Sequence, residues 1–219
     1  MPGPFDKSTV ISMLADLKRR DPHFEVFGAD AHRYELNPPL PVQQVAAFET
    51  QHRVKLPEDY RRFITEIGNG GAGPYYGVFR FGEHDDGDDF RPWDGGYLVG
   101  DLSAEFPHQE EWNLPAAFWA RMPHPGPDIP VDEEDRMMEA WVKELDENYW
   151  NPEIMRGAIP ICHLGCAIRH WLVIHGRQRG FVWADDRVDN RGIAPLKTDS
   201  RQLTFADWYT MWLRHPLKI

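Results

Sequence analysis

Residues 48–71 read Phe48-Glu49-Thr50-Gln51-His52-Arg53-Val54-Lys55-Leu56-Pro57-Glu58-Asp59-Tyr60-Arg61-Arg62-Phe63-Ile64-Thr65-Glu66-Ile67-Gly68-Asn69-Gly70-Gly71, the stretch that decides the fold. It reads as the end of one helix, a Leu-Pro hinge, a second helix and a glycine-rich stop. Pro57 suits the first position of the second helix, where a missing N–H costs nothing. Glu58 and Asp59 fall in the first turn, at the positive end of the helix dipole. Tyr60, Phe63, Ile64 and Ile67 form an apolar stripe at helical spacing. Gly68-Asn69-Gly70-Gly71 then supplies residues that tolerate the positive φ of a helix stop and a tight turn. Gly70 and Gly71 read as turn geometry, since a phosphate loop would also need a preceding strand and a Lys before the next helix.

Upstream, the spacing of Val10, Ile11, Met13, Leu14 and Leu17 predicts a helix over 8–18, with Ser8 or Thr9 as N-cap and Asp21-Pro22 as its end. Asn37-Pro38-Pro39-Leu40-Pro41 is a rigid connector into a helix from about Val42 to His52, with Val45 and Phe48 on its inner face. Downstream, Val78–Phe81 reads as a short strand and Glu83–Asp94 as an acidic loop. Residues 107–120 look helical, broken at Pro115, and 132–149 form an acidic amphipathic helix. Ala158–Cys162, Ala167–Ile174 and Phe181–Ala184 read as an antiparallel meander, the last two joined by a turn at 176–180. Thr204 with Asp207 is a capping-box variant opening a final helix that buries Phe205, Trp208, Tyr209, Trp212 and Leu213. The expected fold class is α+β, a single domain over 1–219 with helices packed on a mainly antiparallel sheet.

The chain has 219 residues, 13% of them aromatic and nine of them Trp, enough for a sizeable core. No apolar run approaches a bilayer span and no signal peptide is visible, so a cytoplasmic protein without membrane attachment is expected. Two cysteines, Cys162 and Cys166, make no disulfide framework, which fits a reducing compartment. The formal net charge is −11. That argues against direct binding of nucleic acid and suits either a basic protein partner or simple solubility.

The ordered motifs resemble the SUKH superfamily, which holds bacterial toxin-immunity proteins and eukaryotic regulators of cell-wall synthesis. They are Glu49, Leu56-Pro57, Tyr60 with Phe63, Asn69-Gly70-Gly71, Ile159-Pro160-Ile161, Gly165-Cys166, Trp171–Ile174, Gly176 and Gly180-Phe181-Val182-Trp183. A terminal helix opening at Thr204-Phe205 and closing at Trp212-Leu213 is similar too. The resemblance covers about 42–82 and 157–214. Between them, about 100–156 is an insertion carrying the extra acidic helix. The resemblance implies a non-catalytic protein that binds and occludes a cognate toxin, with no cofactor. A regulatory or scaffold role in a cell-wall or biosynthetic pathway is the alternative it also implies.

Several side chains invite a chemical reading. Cys162, His163, Cys166, His170 and His175 are zinc-ligand types, but the Cys-x3-Cys-x3-His spacing lacks a knuckle and strand alternation splits the set between two faces. A Cys–His nucleophile here, and hence a small enzyme, lacks any signal for a depressed thiol pKa. Asp85, Asp86, Asp88 and Asp89 lack the register of a calcium loop. They read as a solvated acidic loop or a contact for a basic partner. On the acidic helix, Glu139, Glu144, Asp146 and Glu147 lie beyond the first turn, where carboxylates gain nothing from the dipole. They are candidate partner contacts. Tyr75, Tyr76 and Trp93 are candidate aromatic anchors, with burial in the core as the other reading of each.

Overall fold

The computed structural model describes residues 5–85, 90–93, 98–199 and 201–217. Its centre is a four-stranded antiparallel meander, β3 (Ala158–Gly165), β4 (Ile168–Val173), β5 (Val182–Asp185) and β6 (Ile193–Pro195), in the spatial order β3-β4-β5-β6. Both faces are covered, which is why these strands read as apolar runs rather than alternating ones. Ile159, Ile161, Leu172 and Val182 point to one core, and Ala158, Trp171, Val173 and Trp183 to the other. Trp171 and Trp183 are register partners on neighbouring strands. A register shift between Pro160 and Cys162 re-phases β3, so that Ile161 and Cys162 both enter the first core.

Helices cover the first face. They are α1 (Lys7–Arg20), α2 (Ala29–His32), α3 (Val42–Gln51), α4 (Glu58–Arg62) and α7 (Phe205–Arg214). Helix α4 runs into a π-turn, Phe63–Ile67, and the predicted stripe of Tyr60, Phe63, Ile64 and Ile67 is buried throughout. It meets Phe205 and Tyr209 of α7, with Tyr60–Phe205 ring centroids 4.9 Å apart. Gly68 is extended, at φ −174°, and the left-handed residues are Gly70 (φ 75°) and Gly71 (φ 96°). A Cβ on Gly70 would lie 2.6 Å from the Phe79 carbonyl oxygen. The terminal helix carries the predicted capping box, with Thr204 accepting from Asp207 N.

The 100–156 segment covers the second face. Phe106 and Met155 pack on the sheet, helix α6 (Val131–Asn148) and the short α5 (Ala116–Trp119) lie outside them, and Trp112 forms an antiparallel bridge with Ile193 that screens the β6 edge. This segment therefore supplies much of the cover for one of the sheet's two faces. The fold is α+β, with seven α-helices and a mainly antiparallel sheet among the described residues.

Four local expectations are corrected. Asp6, not Ser8 or Thr9, caps α1, its carboxylate accepting from Thr9 N at 2.9 Å. The helix expected over 107–120 shrinks to Ala116–Trp119, because Pro115 cannot continue it and Trp112 spends its backbone groups on Ile193. Val78–Phe81 forms only a bridge, Gly71 to Val78, with Phe79 N donating to Ile161 O. Short β1 (Glu83–Asp85) and β2 (Phe90–Pro92) pair within the expected acidic loop. The strands β6, β7 (Lys197–Thr198) and β8 (Arg201–Gln202) were not anticipated.

The hinge is braced by charge. Glu49 is 4% exposed. Its Oε1 accepts from Leu56 N at 3.0 Å, and Lys55 Nζ and Arg61 Nε lie 3.2 and 3.5 Å from its carboxylate. Arg179, in the β4–β5 turn, donates to the carbonyls of Lys55 and Leu56, at 2.7 Å each. Glu49→Ala is expected to cost about 2–3 kcal/mol, since it strands a buried N–H and a half-buried Arg61. Glu49→Gln should cost clearly less, because the amide oxygen still accepts from Leu56 N. Urea midpoints of the two variants at unchanged m-value check this; equal losses would contradict the assigned role.

Candidate interaction surface

Helix α6 holds eight carboxylates against Arg136 and Lys143. Pro130 precedes it, and Asp132, Glu133 and Glu134 sit in the first turn, where the dipole favours them. Trp141 is its buried anchor, set 4.9 Å from the Phe118 ring and 6.4 Å from that of Trp119 on α5. The predicted contacts divide into two pairs. Glu144 is half-buried and accepts from Arg121 at 2.6 Å, and Glu147 lies 3.9 Å from Lys143. Glu139 and Asp146 are exposed and make no ion pair among the described residues. Asp135, Glu139, Val142 and Asp146 fall at helical spacing on one outward face, around a shallow depression that also includes Met138 and Lys143. Val142 is 49% exposed at its middle. The result is an apolar spot framed by carboxylates.

The other candidates are placed as follows. Asp86, Asp88 and Asp89 lie outside the described residues. Asp85 ends β1, opposite Phe90. Tyr76 is exposed and lies nearly parallel to the His163 ring, with centroids 4.7 Å apart. Tyr75 is half-buried, edge-on to His170 at 5.4 Å. Trp93 is buried against Phe81 and Phe48, its indole donating to Glu83 O at 2.9 Å. The structure does not join these aromatics into one patch with α6. Tyr75 packs on the helix-covered face of the sheet and α6 lies over the opposite one.

The cysteine–histidine segment does not gather into a ligand set, although Cys162 and His170 are register partners across β3–β4 and so share a face. Cys162 is fully buried with its Sγ 3.1 Å from Pro74 O, and burial pushes its thiol well above the usual range. Such a thiol is a hydrogen-bond donor, not a nucleophile. Cys166 is exposed in the β3–β4 turn. His170 is buried, and its Nδ1 accepts from Trp208 Nε1 at 3.1 Å. Among the described residues no group of three or more His, Cys, Asp or Glu is placed to hold a metal ion.

One cluster escaped the sequence reading. Arg187, 3% exposed, forks onto Asp185 through Nε–Oδ1 (2.8 Å) and Nη2–Oδ2 (2.7 Å), and its Nη1 donates to Tyr149 O at 2.7 Å. The Tyr149 hydroxyl accepts from Gly192 N at 3.0 Å. This knot ties the C-terminal end of α6 to β5 and the turn after it, and so orients the acidic face. Its only sequence signal is Asp185-x-Arg187, too common to single out.

A braced helix–hinge–helix pair on one face of an antiparallel meander, with an acidic helical segment over the other, defines an α+β protein. The SMI1/KNR4 family (SUKH-1) matches residues 39–195, and the chain belongs to that family. The match spans the 100–156 segment and ends before α7. Neither curated proteins nor solved structures give a match. No helix among the described residues is long and apolar enough to cross a membrane.

Proposed function

We propose that this protein is a non-catalytic, cytoplasmic immunity protein that binds a basic toxin and occludes its site. Family membership supports a partner-binding role. The observation that carries the proposal furthest is the outward face of α6, where Val142 is framed by Asp135, Glu139 and Asp146. Apolar centres with polar rims are the usual anatomy of protein interfaces. Carboxylates left without internal ion pairs are available to steer a cationic partner. The 100–156 segment thus has two jobs, covering the sheet and presenting the contact. Tyr76 and the acidic loop at Asp85, Asp86, Asp88 and Asp89 are proposed as a second partner contact, separate from the α6 face.

The test couples capture to charge reversal. Tagged protein is used to isolate its partner from native cells, and binding is then measured with Glu139→Lys/Asp146→Lys. The association rate should fall about tenfold or more, with a flatter dependence on salt. Full-rate binding by the double variant would remove α6 from the interface. An array of several weak partners in place of one tight one would favour a regulatory scaffold.

A further inference from the structure

On the helix-covered side of the sheet, away from α6, lies a cavity of about 380 Å³ that the immunity reading does not use. That volume falls at the small end of ligand pockets. Tyr75, Leu203, Trp208 and Trp212 supply aromatic and aliphatic wall, with His170 among them. Exposed Lys197, Met211 and His215 stand at its rim.

The polar lining is sparse and its protonation is fixed by its neighbours. Trp208 Nε1–H donates to His170 Nδ1, so that nitrogen carries no proton. Burial holds the imidazole neutral, with its pKa lowered to about 3. The ring's proton therefore sits on Nε2, which bonds to no described residue and is open to the cavity rather than sealed in the core. Trp212 Nε1 is a buried donor without a partner among the described residues. Of the titratable side chains beside His170, Cys162 is its register partner across β3–β4 and Tyr75 lies edge-on to its ring. Burial raises the pKa of both, so neither brings a charge to the cavity at neutral pH. A ligand that displaces water from the cavity must offer an acceptor to the His170 Nε2–H, because losing that bond without replacing it is costly.

We infer that this cavity binds a small uncharged molecule with a flat apolar body and a carbonyl oxygen, of the aryl ketone or ester class. The apolar body fills the aromatic wall and the carbonyl accepts from His170 Nε2–H. An anionic ligand seated beside His170 would leave its charge among neutral donors in the apolar interior of the cavity, with the Lys197 ammonium only at the solvated rim, which disfavours it.

The probes are acetophenone and its hydrocarbon analogue ethylbenzene, titrated into the intact protein and followed by ¹H–¹⁵N NMR of the indole and imidazole N–H groups. Both should saturably shift the Trp208 and Trp212 indole signals. Only acetophenone should move the His170 Nε2–H proton downfield. Met211→Trp at the rim, and separately Leu196→Phe in the wall, should weaken both probes about tenfold or more while leaving the fold unchanged by circular dichroism. Absence of saturable shifts, or shifts indifferent to both substitutions, overturns the site. An identical His170 response to the two probes overturns the carbonyl assignment. Failure of the α6 charge reversal to affect partner binding would leave this inference untouched, because the two sites lie on opposite faces of the sheet.

Discussion

Replacing Arg187 with Ala is expected to lower the unfolding free energy by about 3–5 kcal/mol, the largest single-residue loss we anticipate. Arg187 and Asp185 are both buried, and the guanidinium satisfies the carboxylate with a two-point fork and the Tyr149 carbonyl with a third donor. Truncation leaves a carboxylate charge uncompensated in an apolar surround, which is far worse than never having placed one there. Total stabilities of about 5–15 kcal/mol make such a loss a large fraction of the whole. Arg187→Lys should recover little, because a single ammonium cannot reproduce the planar fork. Asp185→Leu/Arg187→Met should recover much of the loss, since it removes both charges together. Urea unfolding of the three variants checks the series. A loss below about 1 kcal/mol for Arg187→Ala would mean that the pair is solvated and that the knot does not hold α6. Hydrogen exchange adds a second readout: amides at the C-terminal end of α6 should open faster in Arg187→Ala than those of α1, which the knot does not touch.

The same knot explains what the sequence could and could not convey. The hinge helix pair was legible because its signals are local: a proline at a helix start, carboxylates in the first turn and a stripe at helical spacing. The capping box of α7 was legible for the same reason, since its two members are three residues apart. The meander showed through as long apolar runs, because both faces of β3, β4 and β5 are buried. What stayed hidden depends on partners distant in sequence. Trp112 looks helical in its own neighbourhood, yet it is bridged to Ile193. Tyr149 looks like the end of an amphipathic helix, yet its hydroxyl and carbonyl serve Gly192 and Arg187. The strands β6, β7 and β8 are two or three residues long, too short for any period to register. At the candidate surface, composition pointed to α6 but could not separate Glu139 and Asp146, which make no ion pair among the described residues, from Glu144 and Glu147, which are spent on Arg121 and Lys143. The cavity beside His170 had no sequence signal, because its wall residues read simply as the buried face of α7.

Acid is expected to unfold this protein well before its surface carboxylates are all protonated, and the main cause is two buried histidines, with half-buried His108, its pKa also lowered by burial, acting in the same sense. Burial lowers the pKa of His170 to about 3 and, against the opposing pull of Asp30 and the Gly73 backbone, that of His32 to about 4. Each accepts a hydrogen bond through Nδ1, from Trp208 Nε1 and from Tyr34 N, which requires the neutral ring. An unfolded histidine titrates near 6.5. Between that value and the folded pKa the unfolded chain binds more protons than the native one, so stability rises with pH through this window. The contribution is complete above about pH 6.5 and drains away as the pH falls. By pH 4.5 the two rings together should have removed up to about 5 kcal/mol, at about 1.4 kcal/mol per unit each. Asp59 works weakly in the opposite sense, since burial raises its pKa and protonation favours the folded state. Asp207 acts with the histidines but at lower pH: burial raises its pKa, and the bonds from Arg201 and Thr204 outweigh that and hold it below the usual range. Urea unfolding from pH 7.5 to 4.5 should therefore show a steep decline that begins near 6.5. His170→Asn, whose amide oxygen can still accept from Trp208 while lacking a titrating proton, should remove about half of that decline. A wild-type profile that is flat down to pH 4.5, or a His170→Asn profile as steep as the parent's, would show that the ring is not held neutral by the core.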